Sequence, residues 1–143
     1  NVGKSTLLSK LTTSKPEIKN YAFTTKKLNV GYLKDGKNKI QFIDTPGTLN
    51  RFDKMNNIEK QAFLAMKYVT DMIVYVFDLT EAFPLKDQEK LLEKIRLLDK
   101  KIVLYLSKTD ILDKNKADNF KNKYDVITDI KILKETIIKA SRT

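Results

Sequence analysis

Hydrophobic positions change period several times along the chain. Leu7, Leu8 and Leu11 recur at helical spacing within residues 5–12, whereas Leu28, Val30 and Tyr32 alternate as on a half-buried strand. Asp35-Gly36 marks a hairpin turn, and Ile40-Gln41-Phe42-Ile43 reads as the returning strand, ending at Asp44. After a polar stretch, Ile58, Ala62, Ala65, Met66 and Val69 fall on one helical face. Met72 to Phe77 and Ile102 to Leu106 are unbroken apolar runs, the pattern of parallel strands covered on both faces. Between them Pro84 opens a helix whose Leu91, Leu92, Ile95 and Leu98 share a face. A polar helix near 114–122, a short strand at 125–127 and a closing helix through Ile130, Leu133, Ile137 and Ile138 complete the pattern.

Strands alternating with helices predict an α/β fold with a mostly parallel sheet, right-handed crossovers and one antiparallel edge hairpin. In such sheets a ligand sits beyond the carboxyl ends of the strands. Four polar clusters fall at those ends or in loops facing them, and each has its own chemistry.

Gly3-Lys4-Ser5-Thr6 stands at a helix start, where unpaired N–H groups and the positive dipole end suit phosphate. Gly3 allows close backbone approach, Lys4 can reach β/γ-phosphates and Ser5 can ligate Mg²⁺. Taken alone, the tetrapeptide also fits an ordinary helix cap. Asp44-Thr45-Pro46-Gly47 follows a strand directly, which suits Asp44 to hold Mg²⁺ through water and the Gly47 N–H to approach a γ-phosphate; alone, it also reads as a Pro-Gly turn. Ser107-Lys108-Thr109-Asp110 ends the second buried run. A carboxylate there can accept hydrogen bonds from guanine N1–H and its exocyclic amine, a pattern adenine lacks. The aliphatic stem of Lys108 can cover the flat base. The competing reading is a polar loop with Asp110 as a helix cap. Phe23-Thr24-Thr25-Lys26 precedes the hairpin, and Thr25 can complete a Mg²⁺ shell in a segment that orders around a γ-phosphate.

Composition narrows the chemistry. The chain has 143 residues, room for one domain, and carries neither Cys nor His. Disulfides, thiolate nucleophiles, the usual zinc sites and histidine acid–base catalysis are thereby excluded. A net charge of +10 favours polyanionic partners. Arg51, Arg96 and Arg142 are the only arginines, so any nucleic acid is read by backbone and shape more than by base edges. No apolar run approaches membrane-spanning length and no signal peptide precedes the first helix, so the expectation is a cytoplasmic protein without a membrane partner.

In this order and on these elements, Gly3-Lys4-Ser5, Thr25, Asp44-Thr45-Pro46-Gly47 and Lys108-x-Asp110 resemble four of the five motifs of a P-loop GTPase. Asn1 to Leu8, Leu11 to Glu17 and Tyr21 to Lys26 are similar to the Obg–HflX group. Asn29-Val30-Gly31, Asp44 to Arg51 and Ile58 to Ala62 resemble the Nog-type nucleolar GTP-binding family within it. The similarity runs from Asn1 to about Asp110.

The resemblance implies a three-layer, small-GTPase-like P-loop NTPase fold. It implies that 1–143 is a GTPase-domain fragment lacking the first strand and the start of the phosphate loop. GTP or GDP contacts then fall to Asn1, Val2, Gly3, Lys4, Ser5, Thr6, Asp44, Gly47, Ser107, Lys108, Asp110 and Thr128, with Lys4, Thr25 and Gly47 acting in hydrolysis. Ser5, Thr25 and Asp44 are the implied Mg²⁺ ligands, and Asn1 is offered as a K⁺ ligand. The implied function is a slow GTP-hydrolysing switch in large ribosomal subunit assembly, monomeric, with ribosomal RNA or a pre-ribosomal particle as partner, nucleolar if eukaryotic. Two alternatives stay open: a GTP-dependent RNA-binding module with negligible hydrolysis, and a degenerate GTPase fold used as a protein-interaction surface.

Besides the missing first strand and opening glycine of the phosphate loop, two departures from the family pattern, Ser107 and a faint fifth motif, matter, and Thr48 raises a separate catalytic question. Ser107 stands where an Asn usually ties the base loop to the phosphate loop. Thr48 stands where many GTPases carry a water-orienting Gln, and Arg51 is a weak candidate for a cis arginine finger. The fifth motif is faint, with Thr128-Asp129 its best match.

Overall fold

A computed structural model describes residues 4–13, 17–19, 28–44, 57, 70–80 and 84–142, with the backbone alone at 4–6, 28, 29 and 44. The elements run α1 (Lys4–Leu11), β1 (Glu17–Lys19), β2 (Leu28–Asp35), β3 (Asn38–Asp44), β4 (Met72–Asp78), α2 (Leu85–Arg96), β5 (Lys101–Ser107), a 3₁₀ turn (Thr109–Ile111), α3 (Lys114–Lys123) and α4 (Ile130–Ser141). The helix expected through Ile58 to Val69 lies outside the described residues.

β4 and β5 pair in parallel from Met72 opposite Lys101 to Asp78 opposite Ser107, so their carboxyl ends finish level. Side chains alternate across this pair, which splits its apolar residues between two cores. Tyr75, Phe77, Leu104 and Leu106 face Leu91, Leu92 and Ile95 of α2 and Phe120 of α3. Val74, Val76, Val103 and Tyr105 face Leu7 and Leu11 of α1 and Leu133 and Ile137 of α4. Helices on both faces give the three layers, and the continuous apolar runs follow from burial on both sides.

The hairpin forms as expected. β2 and β3 pair antiparallel from Asn29 opposite Asp44 to Asp35 opposite Asn38, with Gly36 at φ 61 in the turn. Positive φ is the region where a Cβ clashes, so glycine is the natural occupant. β3 joins the main body by packing Ile40 and Phe42 against the α1–α4 core. Gly31 lets the end of α1 approach β2: a Cβ there would lie 2.7 Å from Thr12 Cγ2.

Two details differ from the pattern reading. β1 is an added strand, antiparallel to β2 with Glu17 opposite Val30. Three residues beside a proline carry too little alternation to announce themselves. The strand expected at 125–127 shrinks to one parallel bridge, Ile127 to Tyr105, held by bonds from Ile127 N to Leu104 O and from Leu106 N to Ile127 O, both 2.9 Å.

α2 and α3 are clasped by Glu89, which accepts from Lys123 Nζ at 2.8 Å and from the Tyr124 hydroxyl. Burial first, then the Glu89 carboxylate, push the Tyr124 phenol from 10.0 up to about 12. The neutral phenol is the form the fold favours. Its stabilising contribution is therefore complete below the ordinary tyrosine value and is lost as pH rises through the folded one. Urea midpoints should fall between about pH 10 and pH 12, and Tyr124→Phe should flatten that fall. An unchanged slope in the variant would show that Tyr124 does not drive it.

Candidate functional site

The described part of the site is built where β4 and β5 end. β5 stops at Ser107, and Lys108 then turns into the left-handed region at φ 57, ψ 34, starting the Thr109–Ile111 turn. A non-glycine residue takes that conformation only when its surroundings enforce it. Two bonds to the end of β4 do so here. The buried Ser107 hydroxyl donates to the Phe77 carbonyl at 2.9 Å, and Lys108 Nζ donates to Asp78 Oδ2 at 2.8 Å.

Asp78 is itself completely buried and fully bonded. Its Oδ1 accepts from the Thr80 N–H at 2.9 Å and from the Thr80 hydroxyl. Its main chain pairs with the buried amide of Gln88, whose Oε1 accepts from Asp78 N at 2.9 Å and whose Nε2 donates to Asp78 O at 2.8 Å. Burial raises the Asp78 carboxyl, but hydrogen bonds from Lys108 and Thr80, together with the Lys108 charge, outweigh it and hold the group below the usual carboxylate range. A buried carboxylate ringed by donors stays ionised.

Asp110 is exposed on the turn, and its carboxylate has no hydrogen bond or ion pair with any described residue. The helix that follows is capped by Asp113, which accepts from Asn115 N at 3.1 Å. Asp110 is therefore not the cap, and its two oxygens remain available to a ligand. Thr128 is half-buried one residue past the Ile127 bridge, in a segment running beside β5 toward Ser107. Asp129 caps α4 by accepting from Lys131 N at 2.8 Å.

The other expected residues are placed by backbone or not at all. Lys4, Ser5 and Thr6 form the first turn of α1, and Asp44 ends β3. Asn1, Val2, Gly3, Thr25, Gly47, Thr48 and Arg51 lie outside the described residues. Ser107, Lys108, Asp110 and Thr128 thus come together, beside an aspartate that no motif singles out. Asp78 had a usable signal: it ends an apolar run at a strand's carboxyl edge, as Asp44 does. Gln88 had one too, being a polar residue on the Leu91–Leu92–Ile95 face of α2.

A helix start at Lys4-Ser5-Thr6 and a strand-end turn whose Asp110 carboxylate is unpaired among the described residues, carried on a three-layer α/β scaffold, match a P-loop nucleotide-binding fold. The solved G domain of the FeoB iron transporter from T. maritima has that fold: its TM-score is 0.72 at 24% identity, over 99% of this chain and 92% of that one. A family profile described as 50S ribosome-binding GTPase matches residues 1–108, and the chain belongs to that family. An uncharacterised protein of Methanocaldococcus jannaschii is 43% identical over 121 residues, covering 82% of this chain and 33% of its own length. Nucleolar GTP-binding protein 1 of Kluyveromyces lactis is 38% identical over 128 residues, covering 86% of this chain and 20% of its own. The Kluyveromyces relative supports the Nog type, and the chain spans a third or less of the length of both relatives.

Proposed function

We propose that the chain is the GTPase domain of a longer protein, a monomeric switch that hydrolyses GTP slowly and works in large ribosomal subunit assembly. The observation that carries this reading is the Ser107–Asp110 turn, which is braced from below at Lys108 and leaves the Asp110 carboxylate open to a base. The family match through residue 108 supports the phosphate half of the same site. β3 and β4 share a core yet belong to different sheets among the described residues, and a further parallel strand ahead of Asn1 would join them.

Within that reading Lys4 and the N–H groups opening α1 hold the β- and γ-phosphates, and the Gly47 N–H meets the γ-phosphate. Ser5, Thr25 and Asp44 offer hydroxyl and carboxylate oxygens, a donor set that suits Mg²⁺. Mg²⁺, when bound, offsets charge on the phosphate oxygens. Thr48 is too short to orient water as a Gln would, which is the reason to expect slow turnover. Asn1 as a K⁺ ligand would make that turnover cation-dependent. Phosphate release measured in K⁺ and in Na⁺ tests this: slow release, faster in K⁺, is expected. No release in either would leave a GTP-dependent RNA-binding module, and no saturable Mg²⁺-dependent GTP binding would leave a protein-interaction surface.

The RNA partner, and with it a nucleolar location in a eukaryotic cell, is supported by the +10 charge and by one feature of the hairpin. Lys34 and Lys39 stand directly opposite each other across β2 and β3, an arrangement that like charges disfavour, and Lys39 Nζ lies 4.0 Å from the centre of the Tyr32 ring. A phosphate backbone relieves such a pair. Binding of a ribosomal RNA fragment should weaken with salt. Replacing Lys34 and Lys39 by Glu should make the log–log slope shallower by roughly 0.7–0.9 for each phosphate no longer neutralised. An unaltered slope would remove the hairpin from the interface.

A further inference from the structure

We propose that Asp78 is the positioning residue of the base-binding loop: it fixes Lys108 and, with the Phe77 carbonyl, ties that loop to the end of β4 before nucleotide arrives. The inference rests on reading residues 107–110 as the guanine-binding turn.

The family pattern ties this loop to the phosphate loop through an Asn, and this chain has Ser107 instead. The serine hydroxyl hydrogen goes to the Phe77 carbonyl, 2.9 Å away. One residue on, the Lys108 ammonium reaches Asp78, so two consecutive loop residues are tied to two consecutive residues of the neighbouring strand. Asp78 is 0% exposed and cannot touch a ligand, while Lys108 keeps 36% of its side chain exposed with its charged end fixed inward. The exposed part is then the aliphatic stem, the part that can lie against a base. The carboxylate is held in turn by the Thr80 N–H and hydroxyl, and its main chain by Gln88. This chain of contacts over-determines a left-handed Lys108, and that backbone turn sets where Asp110 points. Preorganisation of this kind raises affinity by removing the ordering cost at binding.

The test uses the full chain with GDP and, as a probe that lacks the base, Mg²⁺-pyrophosphate. Asp78→Asn should weaken GDP about tenfold, the middle of the coupling range for residues in one network, and leave pyrophosphate within about twofold. In a Lys108→Met background, which keeps the stem, Asp78→Asn should add less than about twofold. Equal losses for GDP and pyrophosphate, or an undiminished GDP loss in that background, would overturn the proposal by showing a merely structural role. If Asp78→Asn does not fold, Thr80→Ala removes the hydroxyl bond that orients the carboxylate and keeps the ion pair. A GDP-selective loss of about threefold is then expected, and equal losses overturn the proposal. A folded wild-type chain that binds pyrophosphate but shows no preference for GDP would instead sink the guanine reading beneath it.

Discussion

Asp110→Asn should exchange a preference for guanine for a preference for xanthine. The Asp110 carboxylate stands exposed on the Thr109–Ile111 turn without a partner among the described residues, so both oxygens can accept from guanine N1–H and its exocyclic amine. Asn replaces one acceptor with an N–H donor. That donor opposes the guanine amine but matches the carbonyl that xanthine carries at the same position. Each mispaired polar group in a closed site forfeits its desolvation cost, and sites built on such bonds discriminate steeply. The XTP-to-GTP affinity ratio should rise on the order of a thousandfold. Competition binding measures it, and a variant that still prefers GTP would show that Asp110 does not read the base. Because the group is exposed and caps nothing, the melting temperature should hardly move.

Phe77→Ala should give the largest loss of stability. Phe77 is fully buried at the centre of the α2–α3 core, with ring centroids of Tyr75, Phe120 and Tyr124 at 5.0, 4.9 and 5.3 Å. The first two meet it edge-on, at 84° and 69°, an arrangement that adds to simple area burial. Three rings anchored on β4, α3 and the residue after it cannot collapse into the void without moving whole elements, so the cavity term persists. The expected cost is about 3–5 kcal/mol, a large part of the ~5–15 kcal/mol that holds a domain folded. Thermal unfolding should drop by roughly 2–4 °C for each kcal/mol lost. A loss under about 1 kcal/mol would mean that the core refills. The variant keeps the Phe77 main-chain carbonyl that accepts the Ser107 hydroxyl bond.

Much of the fold was legible because its signals are local. The apolar runs 72–77 and 102–106 could only be doubly covered strands, and the helical stripes named the residues that cover them: Leu91, Leu92 and Ile95 on one side, Leu133 and Ile137 on the other. Gly36 announced the hairpin turn, since positive φ is a property of one residue. β1 was not legible, because a three-residue strand depends on its partner β2 and hardly on its own pattern. The strand at 125–127 is shorter than its pattern for the same reason in reverse: apolar residues there meet β5 at a single bridge.

For the site, the sequence by itself determined which groups exist and in what order: a Gly3-Lys4-Ser5-Thr6 helix start, a strand-end Asp44 and a strand-end Lys108-x-Asp110. Those assignments follow from residue chemistry and from strand ends, both written along the chain. Only the tertiary structure decided that Lys108 is held by Asp78 and Ser107 by Phe77, across thirty positions of sequence. No periodicity encodes that pairing. It arises because the crossover through α2 returns β5 alongside β4 in the same direction, with Asp78 opposite Ser107. Parallel register, a long-range property, sets an aspartate outside every motif against the Ser107–Asp110 turn.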